Sequence, residues 1–91
     1  MIPYGRQNLD KEDIQEVINT LNSSWLTQGP KVSEFETLLA ETLGAKYAVA
    51  VSNGTAALHL SLLSLELKDK EVITTPNTFL ASSNAILYSQ A

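Results

Sequence analysis

The chain has 91 residues, 44% hydrophobic and 18% charged, which limits it to one globular domain or part of one. Six Lys and Arg against ten Asp and Glu leave a net charge of −4, so neither nucleic acid nor an anionic membrane surface is an expected partner. Without cysteine there is no disulfide framework and no thiolate metal site, which fits a reducing compartment. Residues 1–13 (MIPYGRQNLDKED) lack the charged-then-apolar layout of a signal peptide, and no apolar run approaches the ~20 residues of a membrane span. The expectation is a soluble cytoplasmic protein.

In chain order, Asp10 is placed to cap a helix whose third position is Asp13, a variant of the capping box. Behind it Ile14, Val17, Ile18 and Leu21 recur at helical spacing and make one apolar face. Residues 22–31 (NSSWLTQGPK) interrupt the pattern with turn formers and Gly29-Pro30. Ser33 and Glu36 then form an S-x-x-E box, with Phe35, Leu38, Leu39 and Leu43 as the stripe and Gly44 as a left-handed C-cap.

Residues 47–51 (YAVAV) read as a buried strand, 57–65 as an apolar helix and 71–75 (EVITT) as a second strand. Strand, helix and strand joined by a connection of roughly twenty residues predict a right-handed βαβ unit with a parallel pair. After Pro76 another helix is expected to start between Thr78 and Ala81. Two parallel strands and four helices leave sheet faces and edges uncovered, so the chain reads as the beginning of something larger.

The sharp corner between the first strand and its helix, Ser52-Asn53-Gly54-Thr55, carries the chemistry. The first N–H groups of a helix have no intrahelical partner and lie at the positive end of its dipole. A helix starting at Gly54 would aim them out of the carboxyl end of the sheet, where α/β folds bind ligands. Gly54 permits close approach, Thr55 adds a hydroxyl and Ala56 a sterically small N–H, an arrangement suited to a phosphate. The same residues also read as an ordinary N-cap from Ser52 or Asn53, with Gly54 easing the turn. The pattern is neither a Walker loop nor G-x-G-x-x-G.

Three stretches in fixed order, residues 2–36, the corner sequence VSNGTAALHL and residues 73–86 (ITTPNTFLASSNAI), resemble the N-terminal part of the DegT/DnrJ-type nucleotide-sugar aminotransferases. These are pyridoxal-phosphate enzymes of fold type I, and the likeness is strongest to the pseudaminic-acid branch, which aminates a UDP-linked 4-keto-6-deoxy hexosamine at C4. The resemblance implies an α/β fold: the start of a large domain, with an arm and two helices in residues 1–46 and the beginning of the sheet in 47–91. It implies that Gly54, Thr55 and Ala56 hold the cofactor phosphate and that Phe79 lies against the pyridine ring. Tyr4, Ser24, Trp25, Leu26 and Thr27 match positions that look toward substrate; from the residues alone, Phe79 reads as a core aromatic and Trp25 with Leu26 as a loop anchor or dimer contact.

The resemblance further implies glutamate as amino donor and a homodimeric parent. The lysine that links the cofactor, and the acid on its ring nitrogen, are expected downstream of residue 91. Lys11, Lys31, Lys46, Lys68 and Lys70 sit in polar or helix-flanking contexts, and His59 reads as a packed histidine. Relatives often carry alanine at the corner where this chain has Gly54, which leaves the acceptor sugar less defined than the cofactor. Other readings are a pyridoxal-phosphate sugar dehydratase on the same scaffold, a noncatalytic nucleotide-binding module and a truncated product without function. The second would place an acid where Thr74, Thr75 and Pro76 stand.

Overall fold

The computed structural model describes residues 2–91; Met1, the first residue of the expected arm, lies outside the described residues. Four helices follow in order: α1 (Lys11–Leu21), α2 (Pro30–Leu43), α3 (Gly54–Leu63) and α4 (Leu80–Tyr88). They fall into two units, one ending at Ala50 and one running Val51–Ala91. No helix is long and apolar enough to cross a membrane.

In the first unit α1 starts where the sequence places it. Asp10 Oδ1 accepts the amides of Glu12 and Asp13 at 2.8 and 3.0 Å, and Asp13 Oδ2 accepts the Asp10 amide at 3.0 Å. Both ends of the capping box are therefore closed by carboxylates. The stripe of Ile14, Val17, Ile18 and Leu21 forms as expected, yet all four side chains are exposed.

The start of α2 corrects the sequence reading. The helix begins at Pro30 with Gly29 as N-cap, one turn ahead of the expected Ser33 box. Proline at the first position is preorganised for a helix and gives up an N–H that would have no partner anyway. Gly29 itself is required by contact: a Cβ there would stand 2.7 Å from the Trp25 Cβ. Gly44 ends the helix at φ 64°, and the Ala45 amide returns to the Ala40 carbonyl at 2.9 Å, a Schellman closure. Lys31 Nζ joins α2 to α1 through Glu16 Oε2 at 3.2 Å and also reaches Glu34 Oε2 at 3.0 Å.

In the second unit α3 and α4 pack against each other. Ala81, Ala85 and Ser89 of this unit are buried, and the His59 ring sits 5.3 Å from that of Tyr88, so His59 is packed as expected. Small residues at the contact let two helices approach closely, which is why so short a unit finds a seam at all.

The expected βαβ unit is absent among the described residues. Residues 47–51 and 71–75 are irregular, without a strand or ladder, and several large side chains there face solvent, with Tyr47 75%, Val49 79% and Ile73 97% exposed, while Val72 is half-buried. The reason is physical. β-branched residues favour an extended backbone, but a strand exists only when its N–H and C=O groups meet a neighbour's. The two segments lie essentially in separate units, divided after Ala50, and neither meets such a neighbour.

Candidate functional site

Asn53 caps α3 from an extended backbone, and its Oδ1 accepts the Ala56 amide at 2.9 Å. One of the three amides expected to face a phosphate is therefore already occupied. The amides of Gly54 and Thr55 have no protein acceptor among the described residues, nor does the Thr55 hydroxyl. A Cβ built on Gly54 would meet nothing within 4 Å, so the space in front of these donors is open.

Gly54 and Thr55 border a depression of about 540 Å³ that is also lined by Ala57, Leu58 and Ser61 of α3. Phe79, Ala81 and Ser82 close its other side. Phe79 is the N-cap residue of α4 and 80% exposed, so a ring face is available to a planar aromatic ligand. Two backbone donors, a free hydroxyl at the positive end of a helix and an aromatic face on one depression can take an anionic group beside a planar ring. Ala56 does not line the depression.

Five lining residues escaped the sequence reading: Ala57, Leu58, Ser61, Ala81 and Ser82. Leu58 and Ser61 stand four and seven positions after Gly54, on the same helical face, so periodicity from the corner would have found them. Ser82 stands three after Phe79, and its hydroxyl lies 2.9 Å from that of Thr78.

The residues expected to look toward substrate lie in the first unit, in the arm and in the turn between α1 and α2. Tyr4 is fully exposed, and so largely are Trp25 and Leu26. The turn is built locally: the Ser23 hydroxyl donates to the Trp25 carbonyl at 3.0 Å and accepts the Trp25 amide at 3.3 Å. Leu26 lines a groove with Val17 and Leu21 of α1 and with Lys31. Ser24 and Thr27 are exposed.

The salt bridges found among the described residues both centre on Lys31. Its hydrogen bonds to Glu34 and Glu16 raise its pKa, and the Lys31 hydrogen bond, followed by that of Asn19, holds the Glu16 carboxyl below its ordinary value. Lys46 stands 5.1 Å from the centre of the Tyr47 ring.

The chain has clear relatives among known proteins. The profile of the DegT/DnrJ/EryC1/StrS aminotransferase family matches residues 7–91. The chain is 48% identical to the uncharacterized protein MJ1066 of Methanocaldococcus jannaschii, covering 99% of this chain and 24% of that protein. It is 45% identical to the UDP-4-amino-4,6-dideoxy-N-acetyl-beta-L-altrosamine transaminase of Campylobacter jejuni, covering 100% of this chain and 24% of that one. Against the spore coat polysaccharide biosynthesis protein SpsC of Bacillus subtilis it is 47% identical, covering 99% of this chain and 23% of that one. The chain thus spans about a quarter of the length of these relatives. No solved structure matches it significantly. The chain belongs to the DegT/DnrJ/EryC1/StrS aminotransferase family.

Proposed function

We propose that these residues form one wall of the cofactor site of a pyridoxal-phosphate aminotransferase that moves an amino group from glutamate to C4 of a UDP-linked 4-keto-6-deoxy hexosamine, in biosynthesis of the pseudaminic-acid type. Two Campylobacter jejuni relatives, 45% and 43% identical to this chain, are named UDP-4-amino-4,6-dideoxy-N-acetyl-beta-L-altrosamine transaminase, which supports amination of a UDP-linked sugar. The parent protein is cytoplasmic and homodimeric, and residues 47–51 and 71–75 become strands of its parallel sheet.

The observation that carries the reading is the pair of unclaimed amides on Gly54 and Thr55, sharing one depression with the Phe79 ring. In this assignment those amides and the Thr55 hydroxyl bind the phosphate, and Phe79 fixes the plane of the ring. Asn53 keeps the corner open by satisfying Ala56 alone, so Ala56 serves the turn and not the ligand directly. Tyr4, Ser24, Trp25, Leu26 and Thr27 face the nucleotide sugar. When bound, the cofactor supplies the electron sink for amino-group transfer.

The full-length protein tests this. Given pyridoxal phosphate, glutamate and the UDP-4-keto sugar, it is expected to release the 4-amino sugar, detected by mass. Phe79→Ala is expected to weaken cofactor binding. The 91-residue chain, expected to lack the linking lysine, should show no cofactor absorption that survives dialysis; a robust band would contradict that assignment.

A further inference from the structure

We propose that Glu36 is a positioning residue for the cofactor corner: its carboxylate holds residues 45–50 against α2 and so fixes the chain that leads into Asn53. This rests on the phosphate site proposed above.

The Ala50 amide donates to Glu36 Oε1 at 2.7 Å, across fourteen positions of sequence. Only two side-chain hydrogen bonds among the described residues span more than a helical turn, and of these only this one reaches the backbone. The segment it holds is in no strand, and its amides from residue 46 to residue 50 have no backbone acceptor among the described residues. Its other end is tied as well, because the Ala45 amide donates to the Ala40 carbonyl at 2.9 Å.

Glu36 and Ala40 stand four positions apart, on one face of α2. Ala40 is buried, and its small side chain lets the segment lie close to the helix. Residues 45–50 are thereby anchored at both ends along a single helical face. An ionised acceptor makes a shorter and stronger bond to an amide than a neutral one, and 2.7 Å fits that class.

Asn53 follows Ala50 by three residues. Releasing Ala50 would let the lead into the corner wander, and the open amides of Gly54 and Thr55 would be presented less uniformly. The latch is compatible with a later strand. Successive residues of an extended chain turn their N–H groups to opposite sides, so Glu36 closes the side of Ala50 and leaves that of Val49 and Val51 for a neighbour.

The test compares Glu36→Ala and Glu36→Gln in the full-length protein, with two readouts: hydrogen exchange at the Ala50 amide and the dissociation constant for pyridoxal phosphate. Glu36→Ala should speed exchange at Ala50 by roughly tenfold, the factor for a lost hydrogen bond to a charged group, and weaken cofactor binding by about a few-fold. Turnover at saturating cofactor should stay near that of the unaltered protein, since Glu36 touches no reacting atom. Glu36→Gln keeps an acceptor oxygen and should recover most of both losses. Unchanged Ala50 exchange in Glu36→Ala overturns the latch. Faster exchange with unchanged cofactor affinity overturns the positioning role, as does a Glu36→Gln protein no better than Glu36→Ala. If the unaltered protein binds no pyridoxal phosphate, the site assignment fails, while Ala50 exchange still decides the latch.

Discussion

The two units close their backbone in different ways. In the first, carboxylates take the loose N–H groups: Asp10 and Asp13 at the start of α1, and Glu36 at Ala50. In the second, α3 and α4 contain no charged residue, and the start of α3 is capped by the neutral amide of Asn53. The start of α1 is thus already occupied by negative charge and repels an anion, whereas the start of α3 keeps two donors and a positive dipole end uncompensated. Of these two helix starts, α1 has its second and third amides sealed by a carboxylate, whereas α3 keeps the amides of Gly54 and Thr55 open to an anion.

The most damaging way to break that contrast is to give α3 the cap of α1. Asn53→Asp caps a helix as well as asparagine does, so α3 should form normally. Its carboxylate would stand beside the bound phosphate, and a like charge about 5 Å away at an effective dielectric of about 20 costs on the order of 3 kcal/mol. Pyridoxal phosphate should bind roughly a hundredfold more weakly, measured by equilibrium titration of the full-length protein. Next in size, Asp10→Ala should cost about 1 kcal/mol of stability, read as a shift in the urea midpoint, with faster amide exchange at Glu12 and Asp13. Cofactor affinity should not change, which separates a purely structural cap from one that frames a ligand.

The smallest effect comes from the surface charges of the first unit. Glu16 is held below its ordinary pKa by Lys31, so its contribution is present above the unfolded value and is lost as pH falls through the lowered folded value. Lys31 is raised, chiefly by Glu34 and then Glu16, so its contribution persists from low pH and is lost as pH rises through its raised value. Between the two the tie from α1 to α2 is intact. Carboxyl NMR should show Glu16 titrating below the ordinary range, and Lys31→Met should raise it while leaving the part held by Asn19. Both groups are solvent-exposed, so added salt should screen the effect. The Asn53 cap of α3 should not respond to either treatment.

The helices were legible because their signals are local. Asp10 with Asp13, the left-handed Gly44 and the corner at Asn53 each act within a turn of the residue concerned. The α2 start was misread because two local signals compete, and Pro30 at the first position prevails over the Ser33–Glu36 pattern. Glu36 was then free for Ala50, a contact fourteen residues away that no spacing rule announces. The strands at 47–51 and 71–75 were inferred from composition, but pairing depends on neighbours that β-branched side chains do not supply. Of the residues lining the depression, Gly54, Thr55 and Phe79 were singled out through the corner and the family likeness. The engagement of Ala56 by Asn53 was not, because either Ser52 or Asn53 could have been the cap.

The most direct test follows the backbone amides themselves. In isotope-labelled full-length protein titrated with pyridoxal phosphate, the amide resonances of Gly54 and Thr55 should move most. Those of Glu12 and Asp13, sealed by Asp10, should stay still. If the Gly54 and Thr55 resonances do not move while the cofactor binds, the phosphate lies elsewhere and the reading of α3 as its cradle is wrong.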